Sequence, residues 1–114
     1  MTRAAPSLDR VFHALADPSR LGMVERLCRG PASVKDLAAP LDMALPSVMK
    51  HLKVLEGGRL VRSKKTGRVR VYEIEPRALA TIDKWVAQRR ATWNDRFDRL
   101  EQLLIEEDVT PRRK

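Results

Sequence analysis

Between Ala44 and Tyr72 the chain changes its hydrophobic period and carries nearly all of its excess charge. Eight basic residues (Lys50, Lys53, Arg59, Arg62, Lys64, Lys65, Arg68, Arg70) face one acid, Glu56, an excess of +7 where the whole chain has +8. Val48, Leu52 and Leu55 recur at helical spacing up to Glu56, and beyond Gly57-Gly58 the period falls to two. A basic helix running into a basic hairpin, in a chain otherwise close to neutral, is shaped to meet a polyanion.

The flanking segments read as helices. Leu8, Val11, Phe12 and Leu15 lie on one helical face over Leu8–Ala16. Asp17 suits an N-cap and Pro18 the first position of a second helix reaching Arg29, with Leu21, Val24, Leu27 and Cys28 apolar and Gly30-Pro31 ending it. Ser33 to Asp36 resembles a capping box for a short helix, about Val34–Ala39. A turn over 40–44 leads to a helix over 45–56. Residues 60–74 read as two strands, Leu60–Ser63 and Arg68–Ile74, joined by Lys64-Lys65-Thr66-Gly67. Pro76 opens a long helix, 77–108, in which Leu79, Val86, Trp93 and Leu100 repeat every seven residues and Ile82, Phe97, Leu103 and Leu104 widen the stripe. The organisation expected is a loose tail over 1–7, one domain over 8–108, and a basic tail over 109–114.

Composition excludes several classes. At 114 residues the chain is expected to be one domain with a modest core. Five aromatics leave few rings for stacking single-stranded bases. The lone Cys28 forbids an internal disulfide, which fits a cytoplasmic location, and reads as a small core residue. No apolar run approaches the roughly 18 residues of a membrane span, so no membrane partner is expected. Two histidines far apart and no clustered acids make an enzyme a poor reading, and no cofactor is indicated.

Two short helices, a turn, a helix with a basic face and a basic hairpin make a mainly α, winged helix-turn-helix pattern whose third helix suits the major groove of duplex DNA. The sequence is similar to the ArsR/SmtB family of bacterial regulators over about residues 8–104. The resemblance is carried by Ala14-Leu15-Ala16-Asp17-Pro18-Ser19-Arg20-Leu21, by Val34-Lys35-Asp36-Leu37, by Pro46 to Leu55, and by Leu60-Val61, Gly67-Arg68 and Tyr72. It implies a homodimeric repressor on a palindromic operator, with helix 45–56 as recognition helix, residues 60–74 as wing, and the first and last helices as dimer interface. The family's thiolate metal motif would need cysteines at Ser33 and Lys35, and its other site needs histidines on the last helix. This chain has neither, so no metal site is expected. Met49 and Arg59 depart from the Ser and Gly usual in the family, and the second departure asks Gly58 to take the helix-ending conformation.

The candidate DNA contacts are Leu45, Pro46, Ser47, Lys50, His51 and Lys53 on the helix, and Lys64, Lys65, Arg68 and Arg70 on the wing. His51 reads equally as a structural histidine and as a phosphate donor, and Arg20 as a structural ion pair. The candidate dimer residues are Leu8, Val11, Phe12, Leu79, Ile82, Val86, Trp93, Phe97, Leu100 and Leu104. Two other readings stand beside the repressor: one that responds to a small-molecule effector bound near Trp85 or Trp93, and a nonspecific architectural DNA binder.

Overall fold

A computed structural model describes residues 6–107; residues 1–5 of the expected tail over 1–7, residue 108 and the basic tail over 109–114 lie outside the described residues. The elements follow as α1 (Leu8–Leu15), α2 (Pro18–Leu27), β1 (Ala32–Ser33), α3 (Val34–Ala38), α4 (Leu45–Gly57), β2 (Val61–Thr66), β3 (Val69–Ile74) and α5 (Pro76–Glu107). The chain forms two compact units that divide between Ile82 and Asp83, within α5.

Local chemistry sets the helix starts in the first unit. The Asp17 carboxylate accepts from the backbone N–H of Ser19 at 2.9 Å and of Arg20 at 3.1 Å, with Pro18 beginning α2. The Ser33 hydroxyl accepts from the Asp36 amide at 3.2 Å and caps α3. Val11 and Ala14 from α1, Met23, Val24 and Leu27 from α2, Leu37 from α3, and Val48, Leu52 and Leu55 from α4 meet Leu60, Val61 and Tyr72 in one core. Pro6, expected in a loose tail, is buried. Leu21 and Cys28, expected on the buried face of α2, are exposed, while Met23 is buried. Cys28 is the C-cap of α2, at the helix end, and the helix does not continue beyond it.

The sheet is antiparallel with order β1-β3-β2. β1 was not legible as a strand: Ala32 and Ser33 pair with Tyr72 and Val71, some forty residues away, and two residues carry no alternation. The hairpin is longer than its sequence suggests. Lys64, Lys65 and Thr66 continue β2, pairing with Val71, Arg70 and Val69, so the loop is only Gly67-Arg68. Gly67 has φ 65° and Arg68 does not enter the positive range, the pattern of a type II′ turn with glycine at its first position.

α4 ends in a Schellman motif. The Arg59 amide donates to Glu56 O at 2.9 Å and the Leu60 amide to Leu55 O at 3.0 Å, while Arg59 takes φ 62°. The left-handed residue is therefore Arg59 itself and not Gly58, whose φ is −80°. Gly58 serves contact instead: a Cβ there would lie 3.0 Å from Ala14 Cβ and 3.1 Å from Arg10 O, so its absence lets α1 pack on the end of α4.

Two expected interface residues belong to the first unit's own core. Val11 is fully buried, because the i, i+3, i+4 pattern marks an apolar face without saying what covers it. Ile82 packs partly against the same core.

In the second unit, α5 from Asp83 to Glu107 carries an exposed apolar stripe of Trp93, Phe97, Leu100, Leu103 and Leu104. Trp93 stacks on Phe97 with ring centroids 5.2 Å apart, the Arg89 guanidinium lies 5.4 Å over Trp85, and Asp95 pairs with Arg99 at 3.3 Å, as the i, i+4 spacing anticipates. Among the described residues no helix is long and apolar enough to cross a membrane.

Candidate nucleic-acid interface

α4 turns Val48, Leu52 and Leu55 into the core, which leaves Ser47, Lys50 and Lys53 outward. Val54, which the helical pattern puts on the polar face, is instead half-buried against the core. Leu45 and Pro46 form an exposed first turn that no side chain caps, so the positive end of the helix dipole is open.

The hairpin supplies a second wall. Its register sets Lys65 directly across from Arg70 and Ser63 across from Tyr72, all on the core-facing side of the strands, since residues paired across a ladder share a face. Lys64 alternates to the other side, and Arg68 occupies the turn. Between the walls lies a groove of about 540 Å³ lined by Pro46, Met49, Lys50, Lys53, Glu56, Arg70 and Tyr72. The expected contacts Pro46, Lys50, Lys53 and Arg70 thus meet in one place, with Ser47 exposed on the same helix. On the opposite side of the sheet Arg62 is neutralised by Glu73 at 3.0 Å and Glu75 at 2.9 Å.

A hydrogen-bonded chain that sequence reasoning missed couples helix to wing. Arg70 Nη1 donates to Ser63 Oγ at 3.0 Å, and Ser63 Oγ donates to Glu56 Oε2 at 2.9 Å. A hydroxyl has one proton, so its donation to the carboxylate leaves only lone pairs for Arg70, and both directions are determined. Beneath the chain, burial and then the Glu56 carboxylate push the Tyr72 phenol above its ordinary value, with Arg70 opposing. No local signal marks Glu56 or Ser63; only the docking of β2 on α4 brings them together.

His51 is set apart from this groove's lining. Half-buried, its Nδ1 is 3.2 Å from Arg20 Nη1 and 4.0 Å from Asp17 Oδ2. Arg20 is structural: its charge favours the ionised Asp17 carboxyl, its Nε donates to Ala14 O at 2.7 Å and its Nη2 to His13 O at 3.4 Å, at the end of α1. The Asp17 carboxyl is held below its ordinary value, chiefly by the Arg20 amide, then by the Ser19 amide and the Arg20 charge, against partial burial.

Residues 15–64 match the model of a helix-turn-helix domain family. The transcriptional regulator Rv2034 of Mycobacterium tuberculosis is 46% identical over 76 residues, 67% of this chain and 71% of that protein. A transcriptional repressor SmtB homolog of Synechocystis sp. is 34% identical over 83 residues, 73% of this chain and 63% of its own length. The crystal structure of an ArsR family transcriptional regulator superposes with a TM-score of 0.72 at 46% identity, over 76% of this chain and 96% of that one. A homodimeric winged helix-turn-helix DNA-binding domain from Mycobacterium bovis, solved in solution, gives a TM-score of 0.58 at 25% identity, over 81% of this chain and 82% of that one.

Proposed function

The chain belongs to the ArsR family of winged helix-turn-helix transcriptional regulators, and on that premise we propose that it is a cytoplasmic, homodimeric repressor that binds a palindromic operator. α4 lies in the major groove, with Ser47 and Lys50 reading bases, and the wing grips the backbone. The observation that supports this most directly is the convergence of Lys50 and Lys53 from the helix and Arg70 from the hairpin on one groove, with Lys65 across from Arg70. The open N-terminus of α4 adds a second attraction for phosphate. Affinity comes mainly from phosphates and base preference from the first turns of α4.

The dimer reading rests on the second unit. A helix whose exposed side carries Trp93, Phe97, Leu100, Leu103 and Leu104 cannot bury them by itself, and a seven-residue apolar repeat suits a second helix. Leu8 and Phe12 of α1, with Leu79 and Val86 of α5, are the other residues assigned to this interface. Two protomers then present two copies of α4 to successive major grooves, about one helical turn apart.

The deciding experiment is binding to the duplex upstream of the protein's own gene and to a scrambled duplex across a salt series. The repressor reading expects a preference of about 10³-fold or more and a log–log slope near −0.9 for each phosphate neutralised. Equal binding to several candidate upstream duplexes and to scrambled DNA would replace it with a nonspecific architectural role.

A further inference from the structure

We propose that Arg20 is a positioning residue for DNA binding: it holds His51 as a neutral imidazole whose Nε2–H donates to a backbone phosphate beside Lys50. The proposal rests on the reading that α4 meets DNA, and it gives His51 both roles that its sequence context suggests.

A guanidinium only donates hydrogen bonds and stays charged. With Arg20 Nη1 3.2 Å from His51 Nδ1, that nitrogen must be the acceptor, so the ring proton sits on Nε2. Arg20 is not free to turn away. Its Nε and Nη2 are bound to Ala14 O and His13 O, two carbonyls of the last turn of α1, the second of which also accepts the Ala16 N–H at 3.1 Å. The negative end of that helix favours a cation there. One side chain of α2 therefore ties the end of α1 to an imidazole 31 residues further along the chain.

Asp17 Oδ2 also lies on the Nδ1 side of the ring, at 4.0 Å. Among the described residues Nε2 has no protein partner, and the side chain keeps 22% of its surface open. His51 follows Lys50 directly and stands one turn after Ser47, both exposed. The result is an oriented, uncharged N–H donor next to a mobile ammonium. Lysine supplies attraction without direction; the fixed imidazole supplies direction.

Two isosteric substitutions separate this role from a purely structural one. The Asn amide reproduces the Nδ1 position, and the Gln amide reproduces Nε2. The expected result is that His51→Asn melts close to wild type but binds the duplex about tenfold more weakly, whereas His51→Gln keeps affinity within about threefold. Long-range nitrogen–proton NMR of the free protein should show an unprotonated Nδ1 and a protonated Nε2. In Arg20→Met the two tautomers should mix and affinity should fall as in His51→Asn, with no further loss when both changes are combined. If Arg20→Met does not fold, the His51 pair and the tautomer still decide. A proton on Nδ1 in wild type, or His51→Asn binding as tightly as wild type, overturns the proposal. Lys50→Ala separates the two levels. If it weakens binding while neither His51 variant does, only the positioning role falls; if it too has no effect, α4 is not the DNA-contacting helix and both fall.

Discussion

Gly58 lies so close to Ala14 that a methyl group on the glycine would come within 3.0 Å of the alanine Cβ. This contact sets how α1 sits on the end of α4, and the carbonyl of Arg10, at 3.1 Å from the same point, blocks the obvious escape. Gly58→Ala should therefore destabilise the fold by about 1–3 kcal/mol, the usual cost of overpacking, despite alanine's better helix propensity. Urea denaturation should show a lower midpoint with an unchanged slope. A midpoint equal to wild type would mean that α1 can shift freely on α4.

The next residue should respond in the opposite direction. Arg59 holds φ 62° at the left-handed position of the Schellman motif, where a Cβ costs roughly 1 kcal/mol. Arg59→Gly should raise stability by up to about 1 kcal/mol, less the greater freedom of glycine in the unfolded chain. Thermal unfolding would check this; a lower Tm would show that the Arg59 side chain contributes more than its backbone strain costs.

The wing cations should not be equivalent. Lys65 and Arg70 face each other on the side of the hairpin that meets α4, and Lys64 points to the other side. Replacing Lys65 and Arg70 together with Ala should reduce the salt slope of DNA binding by the dimer by about 3.6, two phosphates' worth from each protomer. Lys64→Ala should change it by less than half as much. The reverse ranking would mean that the opposite face of the hairpin touches the backbone.

The apolar stripe of α5 should govern assembly. Phe97→Glu or Leu100→Glu puts a charge where both side chains are more than half exposed in the protomer, at 57% and 52%. Neither change removes a core contact of the first unit. Sedimentation should show a dimer becoming a monomer, with weaker operator binding and little change in the melting of the first unit. An unchanged mass would place the dimer interface elsewhere.

Asp17 should leave an acid signature. Its folded carboxyl titrates below its ordinary value because the Arg20 and Ser19 amides and the Arg20 guanidinium favour the ionised form. A depressed folded value contributes stability above the unfolded value, about 3.9, and that stability is lost as pH falls through the folded value. Wild type should therefore exceed Asp17→Asn in stability at neutral pH, and the two should converge as the solution is acidified below about pH 4. A gap that persists undiminished at the lowest pH would show that the advantage does not come from the charge.

Features governed by neighbours in sequence were readable from the chain alone. Asp17-Pro18 starts α2 and Pro76 starts α5 because caps and proline act through the backbone within one turn. The buried stripe of Val48, Leu52 and Leu55 follows from helical spacing, and the concentration of charge between Ala44 and Tyr72 marked the side of the molecule with the cationic groove. Lys64-Lys65-Thr66 resembles a polar loop in sequence, and only pairing with Val69 to Val71 makes it strand.

Tertiary packing decided the rest. Whether Val11 is core or interface depends on what covers an apolar face, which periodicity does not encode. The strand at Ala32–Ser33 exists only because Tyr72 and Val71 arrive beside it. The Arg70–Ser63–Glu56 chain and the Arg20–His51 contact join residues on different elements, at angles set by the core beneath them. Sequence determined which residues could form helices and carry charge, through forces that act within a few residues. The fold determined which cations share a groove and which edge of His51 stays open, because those depend on side-chain positions across packed elements.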